Sequence, residues 1–392
     1  MFRRSAKWDD DEEPYSYRWM ILMGAGPTLG MCFGSVLVGL YRYLMVFTSF
    51  GLHASPDPGV VVPYPGLDRS IALQAPGLGH IWDIRMFPDA ADDRRIGIAA
   101  EHGILLTDIG LTNRALRRMS KPRHQLQFYG VDDAGYAGLI GVDFWEGITV
   151  YDPDGRAAWD IAEDTGIWSV AAIDFKGDGV WHFIVGYEQR GIGLFDRRGS
   201  EVWRNRGGTV WTVAERRLRG DRPPMIVHSE SPGELVMRDA SGTETYRNAP
   251  SPPWSSFILS PWPNRDSEPH MIRVQSRRLR VDSSYANAVA SYEIPIDGMH
   301  SGFSATPVQF RENAAPYFAV AVAVGERTEL FLYNRARTLI YHEVLDEIVS
   351  AIAAIPEPGT DTESLLVGGE GKVWRYRWDE TKSNQAETDS SS

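Results

Sequence analysis

Apolar and polar positions alternate along most of this chain in runs of five to seven residues, each bounded by Gly, Asp, Asn or Ser. That is the periodicity of β-strands joined by tight turns. Between Val170 and Asn205 the runs VAAIDF, HFIVGY, GIGLFD and SEVWRN follow one another, with Gly177, Gly179 and Gly199 in the intervening turns. Short alternating runs at this spacing predict four antiparallel strands, one complete sheet.

The unit recurs. IWDI at Trp82, IWSV at Trp168, VWTV at Trp211 and PWSSF at Trp254 align, with steps of 43 residues between the last three and twice that between the first two. A divergent unit, LQFYGVD around Gln127, fills the wide gap, and GFSATPV around Phe303 and IVSAIAAI around Val349 bring the count to seven. Four strands repeated at such a period predict an all-β fold, a seven-bladed β-propeller over residues 68–378. The seventh unit supplies only three strands, SAIAAI, SLLVGG and KVWRYRW. The upstream residues Ser70 to Leu73 are therefore expected to pair beside Lys372 to Trp378 and close the ring, removing an open sheet edge.

Outside the repeats the pattern changes. Residues 19–41 contain no charge, which at about 1.5 Å per residue makes a helix long enough to span a bilayer. With flanks, residues 19–45 are read as one transmembrane helix. Arg3, Arg4, Lys7 and Arg18 precede it, so the positive-inside rule places residues 1–18 in the cytoplasm and the propeller outside. Met31 before Cys32 does not fit a lipoprotein box, and the apolar run is too long for a cleaved signal peptide. Gly26, Gly30 and Gly34 form a tandem GxxxG stripe, a surface on which a second helix packs closely. Residues 46–67, rich in Pro and Gly, read as a stiff extended linker, and residues 379–392 as a polar, disordered tail.

Composition narrows the function classes. The net charge of −12 with scattered arginines excludes a nucleic-acid partner. Cys32, the only cysteine, sits in the apolar segment, so the globular part has neither a disulfide nor a thiolate metal site. No paired-histidine, nucleophile-elbow, P-loop or dinucleotide motif is present.

The third-to-fourth-strand turn recurs as Asp152 to Gly155 with Trp159, Asp196 to Gly199 with Trp203, and Asp239 to Gly242 with Tyr246. Here Asp caps, Gly takes the left-handed position, and the aromatic ring packs between blades. This D-x-x-G-x-x-x-W pattern resembles the repeat of quinoprotein-like propellers, and IDFKGDGVWHFIVG resembles the FG-GAP (VCBS) repeat. FG-GAP loops imply calcium, with Asp174 and Asp178 as its ligands, but Lys176 puts an ammonium where a third oxygen belongs. The two aspartates then read as turn caps, and no cofactor or metal is assigned. The leading expectation is a non-enzymatic scaffold subunit of a respiratory, photosynthetic or envelope-biogenesis complex in the bacterial inner membrane. Its helix meets an integral membrane partner, and its propeller faces the periplasm. The alternative is a surface module for carbohydrate or peptide using Trp145, Trp262 and Tyr285; a propeller enzyme comes third.

Overall fold

A computed structural model describes residues 57–86, 95–112, 114–118, 125–129, 138–143, 147–151, 157–161, 166–216, 223–230, 234–248, 258–263, 269–275, 277–283, 288–296 and 302–382. The chain divides into two compact units, Met1–Ala54 and Ser55–Ser392, and every described residue belongs to the second. The expected membrane helix with Gly26, Gly30 and Gly34 lies outside the described residues. Among those described, no helix is long and apolar enough to cross a membrane.

Two strands come first, β1 (Gly59–Val62) and β2 (Leu67–Gln74). Blade 1 follows as β3 (Ile81–Met86), β4 (Arg95–Ala100), β5 (Gly103–Asp108) and β6 (Arg114–Arg118), and blade 2 as β7 (Gln125–Tyr129), β8 (Gly138–Asp143), β9 (Gly147–Tyr151) and β10 (Ala157–Ile161). Blade 3 is β11 (Ile167–Ile173), β12 (His182–Tyr187), β13 (Ile192–Asp196) and β14 (Glu201–Asn205). Blade 4 is β15 (Val213–Arg216), β16 (Met225–Glu230), β17 (Glu234–Arg238) and β18 (Glu244–Asn248). Blade 5 is β19 (Ile258–Pro261), β20 (Pro269–Gln275), β21 (Arg278–Asp282) and β22 (Ala288–Glu293). Blade 6 is β23 (Gly302–Val308), β24 (Tyr317–Val324), β25 (Arg327–Tyr333) and β26 (Leu339–Leu345), and blade 7 is β27 (Ala351–Pro356), β28 (Glu363–Gly368) and β29 (Lys372–Trp378).

Each blade is an antiparallel meander, and the first strands of neighbouring blades touch: β27 with β3, β3 with β7, β7 with β11, β11 with β15, β19 with β23, and β23 with β27. First strands therefore line the axis of a seven-bladed propeller. The middle strands are covered on both faces, which explains the unbroken apolar run of β24, YFAVAVAV, buried almost throughout. Fourth strands such as β14 and β18 face solvent and alternate with charge. The core is not central. It lies in the seams, where each apolar cluster straddles two neighbours: Ile173, Ile184 and Leu194 of blade 3 pack on Val210 and Ile226 of blade 4. Leu366 and Val373 of blade 7 likewise pack on Ile81 and Ile98 of blade 1. Full burial of such a side chain is worth about 1.5–3 kcal/mol, so seam packing holds the ring.

Closure occurs as the three-strand last unit predicts. β2 completes blade 7 by pairing antiparallel with β29, from Leu67 opposite Trp378 to Gln74 opposite Lys372. The expected spacer holds a further strand. β1 extends blade 6 as a fifth strand against β26, with Gly59 opposite Val344, so the N-terminal strap engages two blades in succession. Its sequence GVVV is β-branched, and what it satisfies is the open edge of β26.

Arg69 in β2 forms an ion pair with Glu343 of β26, a carboxylate only 1% exposed. The hydroxyls of Tyr341 and Tyr376 each donate to Glu343 Oε2 at 2.7 Å. Three donors from two blades thus satisfy one buried charge, the condition under which burying it is tolerable.

Candidate functional site

Antiparallel meanders bring the starts of first strands, the turns between second and third strands, and the crossings to the next blade to one end of the ring. Three repeated features meet there. The first is the tryptophan of the repeat. In β3 the register runs Ile81 opposite Ala100 and then Asp83 opposite Ala99, leaving Trp82 as the extra residue of a bulge. In β11 it runs Ile167 opposite Tyr187 and then Ser169 opposite Gly186, leaving Trp168 in the same position. A bulge re-aims its side chain. Trp168 and Trp211 meet with ring centroids 4.6 Å apart, and Trp82 packs edge-on to His80 at 4.3 Å. Trp254 lies outside the described residues.

The second feature is a small residue near the end of the second strand, opposite the bulge in blades 1 and 3 and opposite Ala351 in blade 7. A Cβ on Gly186 would come within 2.7 Å of Val210 Cγ1, and one on Gly368 within 2.6 Å of Ile81 Cγ2. The seam closes there through Val210 N–H to Tyr187 O at 2.9 Å and Ile81 N–H to Gly369 O at 3.1 Å. The third is acidic. Glu101, Glu188 and Glu370 each stand two residues beyond that small position in blades 1, 3 and 7, and Glu326 sits in the corresponding turn of blade 6. The sequence reading passed over these glutamates; the signal was the recurrence of Glu after AA, GY and GG at the end of the second strand.

Between blades 6, 7 and 1 this end is hollowed into a recess of about 720 Å³. Trp82, Phe303, Ile348 and Val349 line it, together with His80, Ser350, Glu101, Glu326, Glu347 and Glu370. His80 Nε2 lies 2.9 Å from Ser350 Oγ and Nδ1 3.7 Å from Glu370 Oε2. Burial pulls the His80 imidazole below its ordinary value although Glu370, Glu101 and Glu347 push it upward, so the ring is neutral at neutral pH. Lys372 Nζ reaches Glu347 Oε1 at 2.6 Å, and the other oxygen of Glu347 accepts the Glu370 N–H at 2.5 Å.

The residues singled out from the sequence fall elsewhere. The Asp174 carboxylate accepts four backbone N–H groups, from Lys176, Gly177 and Asp178 at Oδ1 and from Gly179 at Oδ2 at 2.9 Å. Burial raises its pKa, and those amides outweigh burial and hold it low. Asp178 Oδ1 accepts the Val180 N–H at 3.0 Å. This loop turns both oxygens of Asp174 and Oδ1 of Asp178 onto its own backbone. The same capping holds the opposite end: Asp196 Oδ1 accepts from Arg198 and Ser200, and Asp239 Oδ1 from Ser241 and Thr243. Trp159 donates its indole N–H to Arg197 O of the next blade at 2.8 Å, and Trp203 to Ala240 O at 2.9 Å, so these rings join blades as the repeat predicts. Trp262 packs against the blade 5 and 6 core and donates to Tyr292 OH at 2.9 Å, a seam residue rather than a ligand platform. Trp145 and Tyr285 lie outside the described residues.

This geometry defines the class: a seven-bladed β-propeller closed by pairing of β2 with β29, with an acidic, aromatic-lined recess at one end. No family model matches the chain, and no curated protein matches it. Among solved structures it is similar to BBS1N, crystallised in complex with ARL6DN, soaked with lead in one case and with mercury in another. The TM-scores are 0.56 and 0.57 at 16% and 13% identity, covering 79% and 81% of this chain and 97% of that one. At such identity the likeness establishes the fold.

Proposed function

We propose that this chain is a non-enzymatic scaffold subunit of a membrane protein complex, with the recessed end of its propeller as the docking platform. The single observation that carries the reading is the gathering of the bulged tryptophans, the repeated turn glutamates and the recess at that end. The opposite end has its turns closed on themselves by aspartate caps. BBS1N, similar in fold, was crystallised with a protein bound, a precedent for this use of the architecture. The quinoprotein-like and FG-GAP character of the repeats is consistent with a ring built for rigidity. On this reading residues 19–45 anchor the chain in a bacterial inner membrane, pack on an integral membrane partner through Gly26, Gly30 and Gly34, and hold the propeller in the periplasm.

Native electrophoresis of the detergent-extracted full chain tests this. A complex that survives extraction, and that loses its partner when Gly30→Leu is combined with Ile348→Asp, is expected; migration as a free monomer across a series of mild detergents overturns it. A second reading, a surface module for peptide or carbohydrate, is favoured by the half-buried Trp82, Trp168 and Trp211 at the same end. It predicts that the purified chain binds a soluble ligand with no membrane partner present.

A further inference from the structure

Resting on that platform reading, we propose that the recess between blades 6, 7 and 1 takes a lysine or arginine side chain presented by a basic segment of the protein partner. Four carboxylates line it, from Glu101, Glu326, Glu347 and Glu370. Among the described residues a lysine or arginine neutralises Glu347 alone, through Lys372. Among the described residues no lysine or arginine forms an ion pair with Glu101, Glu326 or Glu370, and Glu326 and Glu370 are exposed. His80, the one basic side chain in the lining, adds no charge at neutral pH because it is neutral in its buried position.

The floor narrows the ligand further. Trp82 and Phe303 present rings and Ile348, 40% exposed, presents aliphatic surface, with the buried Val349 and Ala323 behind them. A bare metal ion has no use for that surface, and an acidic or purely apolar ligand leaves the carboxylates unmatched. Lysine and arginine combine a methylene stem that covers apolar surface with a cation that meets carboxylates or an aromatic face. The recess, about 720 Å³, falls within the roughly 300–1,000 Å³ of sites that enclose small ligands, room for one such side chain and its flanking backbone. The net charge of −12 also steers a basic segment toward the chain before contact.

The test uses the full chain in detergent micelles and a fluorescein-labelled Gly/Ser peptide carrying three arginines, against the same peptide with three glutamates. Fluorescence anisotropy is expected to show saturable binding of the arginine peptide, weakening as salt rises, and none of the glutamate peptide. Glu326→Gln with Glu370→Gln is expected to weaken binding about ten-fold or more. Glu312→Gln with Asp361→Asn, the same charge change on exposed turns at the opposite end, leaves it intact. Both double variants replace carboxylates by amides of equal size, and matched thermal unfolding shows that both fold. Equal weakening by the two pairs, equal binding of the acidic peptide, or stoichiometric calcium binding that displaces the arginine peptide each overturns the inference. If the arginine peptide fails to bind while partner cross-links still map to Ile348, the inference falls and the platform reading stands; loss of both defeats both.

Discussion

Gly242 and Gly325 both sit at positive φ, +82° and +64°, yet their surroundings differ. A Cβ on Gly242 would lie 2.8 Å from the Trp203 ring, whereas one on Gly325 meets nothing within 4 Å. Alanine at Gly325 adds only backbone strain, about 1 kcal/mol; at Gly242 it adds overlap with a ring fixed by its bond to Ala240 O, for a total of about 2–4 kcal/mol. Urea denaturation should give that order, and equal costs would mean that the aromatic joint between blades is loose. The same turns show what sequence could and could not reveal at this scale. The D-x-x-G cue finds the turn at Asp196, but not those at Asp108 and Asn334, where Leu111 and Arg337 take the left-handed position at φ 59° and 66°. The cap survives in both: Thr112 N–H binds Asp108 Oδ1 at 2.8 Å and Thr338 N–H binds Asn334 Oδ1 at 3.0 Å. The capping oxygen, not the glycine, is the constant feature.

At the scale of elements, the seven first strands and the closure by β2 were legible because alternation and period are local properties. β1 was not legible, since its reason for being a strand is the free edge of β26 at the far end of the domain. Its four residues are embedded in a Pro/Gly-rich stretch that reads as spacer. The strap is tied down at Glu343, and this yields two predictions. Glu343→Ala strands Arg69 and two phenols around a buried site and should cost about 3–5 kcal/mol, while Glu343→Gln, which keeps an acceptor, should cost about 1–3 kcal/mol. Chemical unfolding of the two variants separates them, and a cost below about 1 kcal/mol for both would show that the network does not hold the strap.

The second concerns alkali. Burial, first among the causes, raises the pKa of Tyr376, Tyr341 and Tyr333, and it pushes Tyr317 up to about 12. A phenol whose folded pKa exceeds its unfolded value of 10.0 stabilises the fold fully below pH 10, and that contribution is lost as pH rises through the folded value. The phenols' contribution to stability should therefore be constant just below pH 10 and fall between pH 10 and about 12, with native phenolate absorbance lagging behind that of the unfolded chain. Urea titrations across this range check it; phenolate appearing in the folded protein near pH 10 would contradict it.

At the scale of the whole molecule, the ring gathers into one place residues that are remote in sequence. Glu101 and Glu370 become neighbours around His80 only because β2 closes blade 7 and seats it against blade 1. That is why a reading of motifs found the propeller but not the recess. The aromatic residues it proposed as a platform were judged by type alone, and Trp262 proves to be committed to a seam. The central claim is that this one end docks a protein, and photo-crosslinking in native membranes tests it most directly. A benzoylphenylalanine placed at Ile348 or Glu326, on the recess rim, is compared with one at Glu312 or Asp361 at the opposite end. The account predicts a discrete cross-linked protein from the rim positions and none from the others; cross-links confined to Glu312 and Asp361, or spread evenly over both ends, would contradict it.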